Sequence, residues 1–450
     1  MSGAQKPVYV STLRQRIAEL AREKPEMAFT SLAHLIDIPW LHEAYHRTRK
    51  DGAAGVDGQT GKDYEANLEG NLQALLDRAK SGTYVAPPVR RVHIPKAGSV
   101  TETRALGIPT FEDKVLQRAV AMVLETIYEQ DFLDCSYGFR PGRSAHQALE
   151  ALWQRTMKMG GGWVVEVDIR KFFDTIDHGH LRAFLKRRVH DGVLLRLVGN
   201  WLNAGVLEDG CVTHPEKGSP QGGVVSPLLS NAFLHDGLDD GFEREVQPRL
   251  KGRSFLIRYA DDLVMGLSCE DDARRVMEVL PKRFEKYGLT LHPEKTRSVP
   301  FERPTDRPER PEPQERIPAG TFDLLGFTHY WGRSRNGHWV VKRKTSKSRI
   351  NRGLKALAQW LRKERHRDLA DQHRTLSQKL RGHFAYYGIT GNAKALQRFR
   401  RGAIGLWRKW LSRRNRDGPI SWERMYRLLA RNPLPPAIVV HSVYRQIAKP

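Results

Sequence analysis

The spacing of apolar positions changes period along this chain. Leu13, Ile17 and Leu20 recur at helical spacing behind Thr12-Leu13-Arg14-Gln15, a capping-box pattern that predicts a helix beginning there. A second helical stretch is predicted from Ser31 to about Arg49. It breaks at Asp51-Gly52-Ala53-Ala54-Gly55-Val56-Asp57-Gly58, a loop of Gly and Asp, and a further helix covers Tyr64 to Ala79. The period then shortens. Val89 to Ile94 reads as a β-strand ended by Pro95, and Trp163-Val164-Val165-Glu166-Val167-Asp168-Ile169 as a buried strand with an acid near its end. In Phe255-Leu256-Ile257-Arg258-Tyr259-Ala260-Asp261-Asp262-Leu263-Val264-Met265 two strand-like arms flank an acidic pair, which predicts a hairpin. Ala273 to Tyr287 returns to helical spacing. Strands and helices without a strict βαβ rhythm, and without internal repeats, predict an α+β fold.

Two segments depart from that texture. Six prolines stand among Glu, Arg and Asp between Pro300 and Pro318, which marks a surface insertion. After Val341 the reading has strands stop. Ile350, Leu354, Leu357 and Leu361 form one apolar stripe, with Arg349, Arg352, Lys355, Arg362 and Lys363 opposite. A later helix groups Leu396, Phe399, Ala403, Leu406 and Trp410, with Arg398, Arg400, Arg401, Arg408 and Lys409 around them.

Charge sharpens the picture. The 450 residues carry a formal net charge of +24. Residues 341–450 alone hold 28 basic and 5 acidic side chains, so nearly all of the excess lies there. A field of that kind concerns partners, here a polyanion met by a folded helical module. At 51.5 kDa two or three domains are expected, and an apolar fraction of 40% excludes global disorder. Cys135, Cys211 and Cys269 are scattered, which excludes a disulfide framework and a zinc ribbon and fits a reducing compartment. No run approaches the ~20 apolar residues of a membrane span, so the reading is a cytoplasmic protein without a membrane partner.

Asp168 and the Asp261-Asp262 pair carry the candidate chemistry. An acidic pair in a turn is ordinarily a turn feature. Held between apolar strand arms, however, two acids repel each other unless a cation compensates them. Such carboxylates suit Mg²⁺, and two ions ~4 Å apart can activate a hydroxyl and stabilise a leaving oxygen. With a polyanion-seeking module on the same chain, the natural substrates are a nucleic acid 3′ end and a nucleoside triphosphate.

Here the residues resemble a family, the group II intron-encoded reverse transcriptases and maturases of bacterial type. Tyr259-Ala260-Asp261-Asp262 is similar to the reverse transcriptase active-site box, and Asp168-Ile169-Arg170-Lys171-Phe172-Phe173-Asp174 to the first catalytic motif. Gly218-Ser219-Pro220-Gln221-Gly222-Gly223-Val224-Val225-Ser226-Pro227-Leu228-Leu229-Ser230-Asn231 is close to the segment between them. Upstream, Arg104-Ala105-Leu106-Gly107-Ile108-Pro109 is similar to a finger motif, with Ala105 in place of the usual proline. Ser136-Tyr137-Gly138-Phe139-Arg140-Pro141-Gly142-Arg143-Ser144 also resembles the intron class. Gly288-Leu289-Thr290-Leu291-His292-Pro293-Glu294-Lys295-Thr296, Leu324-Leu325-Gly326-Phe327 and Arg381-Gly382-His383-Phe384-Ala385-Tyr386-Tyr387-Gly388 follow in the family's order.

The resemblance implies a right-hand polymerase. Residues 1–80 would be a helical extension of the fingers and 81–160 the fingers. The palm, with an antiparallel sheet, would cover 161–335, interrupted by a Pro-rich insertion at 299–320. A basic helical thumb or maturase domain would span 336–450. The implied activity is RNA-directed DNA synthesis together with assistance to intron splicing and mobility. Two Mg²⁺ ions, with Mn²⁺ as a substitute, fall to Asp168, Asp261 and Asp262, left unranked within the pair, and Ile169 joins the metal site. Lys96 and Arg104 take triphosphate positions, against a plain reading as surface charges. Phe173 takes the place that screens a ribose 2′-OH, or is a core aromatic, and Gln221 contacts the incoming nucleotide. Lys295 is a protonating or phosphate-facing group, or a solvated lysine.

Arg349, Arg352, Lys355, Arg381, Arg398 and Arg401 would meet nucleic acid. Trp407, Trp410, Tyr386 and Tyr387 would stack on bases or belong to the core. Implied partners are intron RNA, an RNA template with a DNA primer, deoxynucleoside triphosphates and a DNA target. Many intron proteins add a Cys/His-rich HNH endonuclease, but every cysteine here lies upstream of the basic helices. Mobility would then use a host nuclease or a replication fork. A splicing-only maturase and a domesticated enzyme of defence or repair are the competing readings.

Overall fold

The structure is a computed structural model that describes residues 5–95, 103–214, 217–219, 222–304, 320–414 and 418–441, with side chains from Tyr9 onward. Lys96 and Gln221 lie outside the described residues, as do residues 305–319 of the Pro-rich stretch. The chain folds into two compact units, one of residues 1–148 and 167–298, the other of 149–166 and 299–450.

In the first unit the 21-residue helix Phe111–Asp131 is the central element. Val115, Leu116, Ala119, Val120, Val123, Leu124 and Ile127 are all buried, so it is apolar on several faces and packed from several sides. Thr110 caps its N-terminus by accepting the amide of Asp113. The helices Gln5–Glu23 and Ile38–Arg47 pack on it. The first of these corrects the expected start at Thr12, which lies inside the helix. Gln5 to Ser11 hold no residue that must stop a helix, and Pro7 falls in the first turn, where no backbone N–H bond is lost. The second starts later than the predicted Ser31, because the Asp37 carboxylate caps it by accepting the amide of Trp40 at 2.9 Å.

A four-stranded sheet orders Thr103–Ile108, Val89–Pro95, Val206–Glu208 and Cys211–Thr213. Its first pair is antiparallel and sets Arg104 opposite Ile94. The predicted hairpin is present as Ser254–Tyr259 and Asp262–Leu267, with Tyr259 opposite Asp262. Only Ala260 and Asp261 remain for the connection. The helix Ser226–Leu234 continues into two wide π-helical turns, His235–Asp239 and Phe242–Val246.

The second unit holds a three-stranded antiparallel sheet in the order Trp339–Thr345, Phe327–Arg333, Phe322–Leu324. Strands therefore do not stop at Val341. Val341, Arg343 and Thr345 are buried on one face while Lys342 and Lys344 point away, an alternation of period two. Four helices follow, Lys347–Lys363, Leu369–Tyr387, Ala393–Ser412 and Trp422–Arg431. Leu357, Leu361, Leu376, Leu380, Leu396, Phe399, Trp407 and Met425 form their common core. Among the described residues no helix is long and apolar enough to cross a membrane.

Candidate functional site

Asp168 follows directly on the strand Trp163–Val167. Its carbonyl accepts the amide of His292 at 2.8 Å, and Ile169 bridges Leu291 in antiparallel fashion, so both neighbours of the carboxylate are fixed by backbone. Lys295 donates to Asp168 Oδ2 at 3.1 Å although its side chain is 60% exposed. The lysine is thus both solvated and paired with the acid, and in that setting the pair adds little stability.

Asp261 sits in the two-residue connection of the hairpin, behind Ala260, whose φ of 57° lies in the left-handed region. That conformation costs an L-residue roughly 1–2 kcal/mol. Burial pushes the Asp261 carboxyl above its ordinary range and the charge of Asp168 adds to the rise. Its own backbone N–H and the guanidiniums of Arg104 and Arg258 pull it back. Asp261 therefore senses both Asp168 and Arg104. Asp262 opens the second strand and is exposed. Among the described residues no three His, Cys, Asp or Glu side chains gather into a ready metal cage. Two mutually repelling carboxylates near cationic groups still fit Mg²⁺, which takes one or two carboxylates and fills its remaining positions with water and phosphate oxygen.

A second group of residues begins four positions after Asp168 in sequence. Phe172 is the core aromatic of its pair, while Phe173 is only half-buried, its ring edge-on to Phe172 at 5.4 Å. The Phe173 carbonyl accepts the amide of Ser219 at 2.7 Å. Gly218, at φ 93°, approaches so closely that a Cβ would lie 2.9 Å from that carbonyl. On the far side of Gln221, Gly222 has φ 115° and its missing Cβ would collide with the carbonyl of Gly107 on the strand Thr103–Ile108. Both glycines are required by approach as well as by φ. The chain then meets Gln117, whose Oε1 accepts the amides of Val224 at 2.7 Å and Val225 at 3.3 Å. Gln117 in turn donates to Asp113, which also accepts from the Tyr84 hydroxyl and the Trp201 indole. Burial raises the Asp113 carboxyl to about 6, against the lowering effect of those three donors. Sequence reasoning missed Asp113 and Gln117. Nothing local singles them out, since the same helix also carries Glu112, Lys114, Arg118, Glu125 and Glu129.

In the second unit Arg349, Lys355, Arg381, Arg398 and Arg401 are exposed and Arg352 is half-buried. Trp407 is core, its indole donating to Gln372 at 3.0 Å. Tyr386 donates to the Leu325 carbonyl, Tyr387 packs on Phe327, and Trp410 packs on the helical core. The exposed aromatic pair lies elsewhere. Trp422 and Tyr426, 44% and 62% exposed, stack with ring centroids 5.8 Å apart, and the Arg408 guanidinium stands 4.3 Å over Trp422.

Residues 94–329, more than half of the chain, match the reverse transcriptase (RNA-dependent DNA polymerase) family, and the chain belongs to it. It is similar to the group II intron-encoded protein LtrA of Lactococcus lactis subsp. cremoris, 34% identical over 281 residues, which are 60% of this chain and 46% of that protein. Protein YkfC of Escherichia coli (strain K12) is 38% identical over 234 residues, 50% of this chain and 61% of the relative. The mitochondrial nuclear intron maturase 3 of Arabidopsis thaliana is 24% identical over 254 residues, 49% of this chain and 34% of the relative. The chain spans about half the length of the first two of these relatives.

Proposed function

We propose that this chain is an RNA-directed DNA polymerase that copies RNA into cDNA and binds group II intron RNA to assist splicing and mobility. The observation that carries the reading is the hairpin that holds Asp261 and Asp262 between two apolar arms, with Asp168 and the exposed Arg104 both close enough to act on the charge of the partly buried Asp261. Asp168, Asp261 and Asp262, with Ile169 beside them, would hold two Mg²⁺ ions, or Mn²⁺, which when bound supply an activated primer 3′-hydroxyl and charge stabilisation at the leaving phosphate. Arg104 presents its fork to the triphosphate, a task Lys96 shares. Phe173 closes the sugar side of the site and excludes a 2′-hydroxyl. Before Gln221 in sequence, Ser219 is bonded to the Phe173 carbonyl, and after it Val224 is bonded to Gln117, so the nucleotide enters a frame already set.

Fingers at 81–160, palm at 161–335 and thumb at 336–450 are the corresponding division of labour. The thumb offers Arg349, Arg352, Lys355, Arg381, Arg398 and Arg401 to phosphates. Trp422 and Tyr426 take the stacking role in place of the buried Trp407. The test is primer extension on an RNA template with deoxynucleotides and Mg²⁺. Asp168→Asn and Asp261→Asn should each lower product formation by roughly a thousandfold or more while leaving the thermal unfolding midpoint near that of the parent. Extension that survives both changes would leave a splicing cofactor with an idle polymerase as the better reading.

A further inference from the structure

Arg258 is the penultimate residue of the first hairpin arm, among Phe255, Leu256 and Ile257, and it is fully buried. All five of its N–H groups have acceptors. Nε donates to Asp239 Oδ1 at 2.8 Å and Nη2 to Asp239 Oδ2 at 2.6 Å. Nη2 also donates to the Ser136 hydroxyl at 2.7 Å, and Nη1 to Asn231 Oδ1 at 3.0 Å. The fifth bond runs from Nη1 to the carbonyl of Ala260 at 3.2 Å. Ser136, Asn231 and Asp239 are themselves buried.

The surroundings reinforce the arrangement. The amide of Tyr137 donates to the Arg258 carbonyl and the amide of Arg258 to that of Cys135, so residues 135–137 run as a short parallel ladder beside the arm. Asn231 donates to the Gly138 carbonyl at 2.7 Å, and Gly138 lies so close to the Ala260 amide that a Cβ there would collide with it. Three segments far apart in sequence therefore meet at one guanidinium, and that guanidinium holds the peptide that leads into Asp261.

A buried ion pair is weak evidence for stability, because well-packed apolar side chains often replace it without loss. Stability alone therefore does not account for a cation whose five donors are all engaged. Its fifth bond has a more specific consequence. Ala260 is left-handed without being glycine, and the Arg258 bond to its carbonyl fixes the orientation of the Ala260–Asp261 peptide. We propose that Arg258, braced by Asp239, Asn231 and Ser136, is a positioning residue that sets the direction in which the Asp261 carboxylate meets Asp168 and the metal. This rests on the reading that Asp168 and Asp261 hold the catalytic ions.

The experiment uses the full chain in primer extension on RNA, with Mg²⁺ titrated and thermal unfolding recorded in parallel. Arg258→Met combined with Asp239→Leu removes both charges together and should leave a folded protein. Its kcat should fall roughly tenfold to a hundredfold, with the deoxynucleotide KM little changed and the half-saturating Mg²⁺ concentration raised. A folded double variant with parental kcat and Mg²⁺ dependence overturns the proposal. Arg258→Lys keeps the charge without the fork and should not restore kcat; full activity with lysine overturns it as well. Ser136→Ala keeps the ion pair and deletes one brace, which covers the case of a double variant that fails to fold. It should show a smaller loss of kcat and a raised Mg²⁺ requirement, and parental values for both would count against the idea. Asp261→Asn is the control on the underlying reading. An active Asp261→Asn enzyme removes the catalytic assignment itself, whereas an inactive one beside an active double variant removes only the role of Arg258.

Discussion

Asp113 shows how one buried acid ties stability to the site. Its native carboxyl titrates at about 6 against an ordinary value of 3.8, so between those values the folded chain holds more protons than the unfolded one. The stability contributed by the protonated acid is therefore present at low pH and lost as pH rises through about 6. Asp113→Asn removes that titration. Between about pH 4 and about pH 7 the unfolding temperature of the parent should fall relative to that of the variant, measured by circular dichroism in matched buffers. A constant difference across the range would mean that Asp113 does not titrate there. Because Asp113 anchors Gln117, and Gln117 holds Val224 and Val225, ionisation of this acid acts on the backbone of that segment.

At the scale of elements, Gly218 and Gly222 are each pressed against a backbone carbonyl, of Phe173 and of Gly107. Gly222→Ala would force a side chain onto a left-handed residue and into the Gly107 carbonyl. The deoxynucleotide KM should rise by roughly tenfold and the melting temperature should fall by roughly a few degrees, as steady-state primer extension and circular dichroism can determine. The hairpin around Asp261 was legible beforehand because both arms are mostly apolar, Phe255 to Ile257 and Leu263 to Met265, and the acids interrupt them. The strand before Asp168 was legible for similarly local reasons. Thr12 misled because a capping box is defined by three-residue spacing, which a continuous helix also contains by chance. Trp339–Thr345 was read short because its outward face is lysine, and lysines at alternate positions resemble the cationic helices that follow. Arg258 could not be interpreted from sequence at all. Its partners lie 19, 27 and 122 residues away, and nothing local distinguishes a buried arginine from a solvated one.

At the scale of the whole chain, the cationic surplus resolves into exposed side chains on helices whose apolar faces share one core. Arg398→Gln with Arg401→Gln should weaken RNA binding and flatten its log–log salt dependence, by up to ~0.9 per contact if the partner is duplex. Trp422→Ala should instead lower affinity by roughly tenfold at every salt concentration, because stacking releases few counterions. Filter binding across a salt series separates the two, and equal slopes for all three proteins would remove the electrostatic assignment. The interleaving of the two units has a consequence for synthesis. Residues 149–166 leave the ribosome long before most of the unit they belong to, and Leu149 packs on Phe327 and on Ile389, which follows about 240 residues later. At ~5–20 residues per second that apolar segment waits roughly 10–50 s for its partners, through the whole time in which the first unit can close. The nascent chain thus carries an unfinished apolar segment through the synthesis of the first unit, and a gene cut at residue 298 would strand that segment on the wrong fragment.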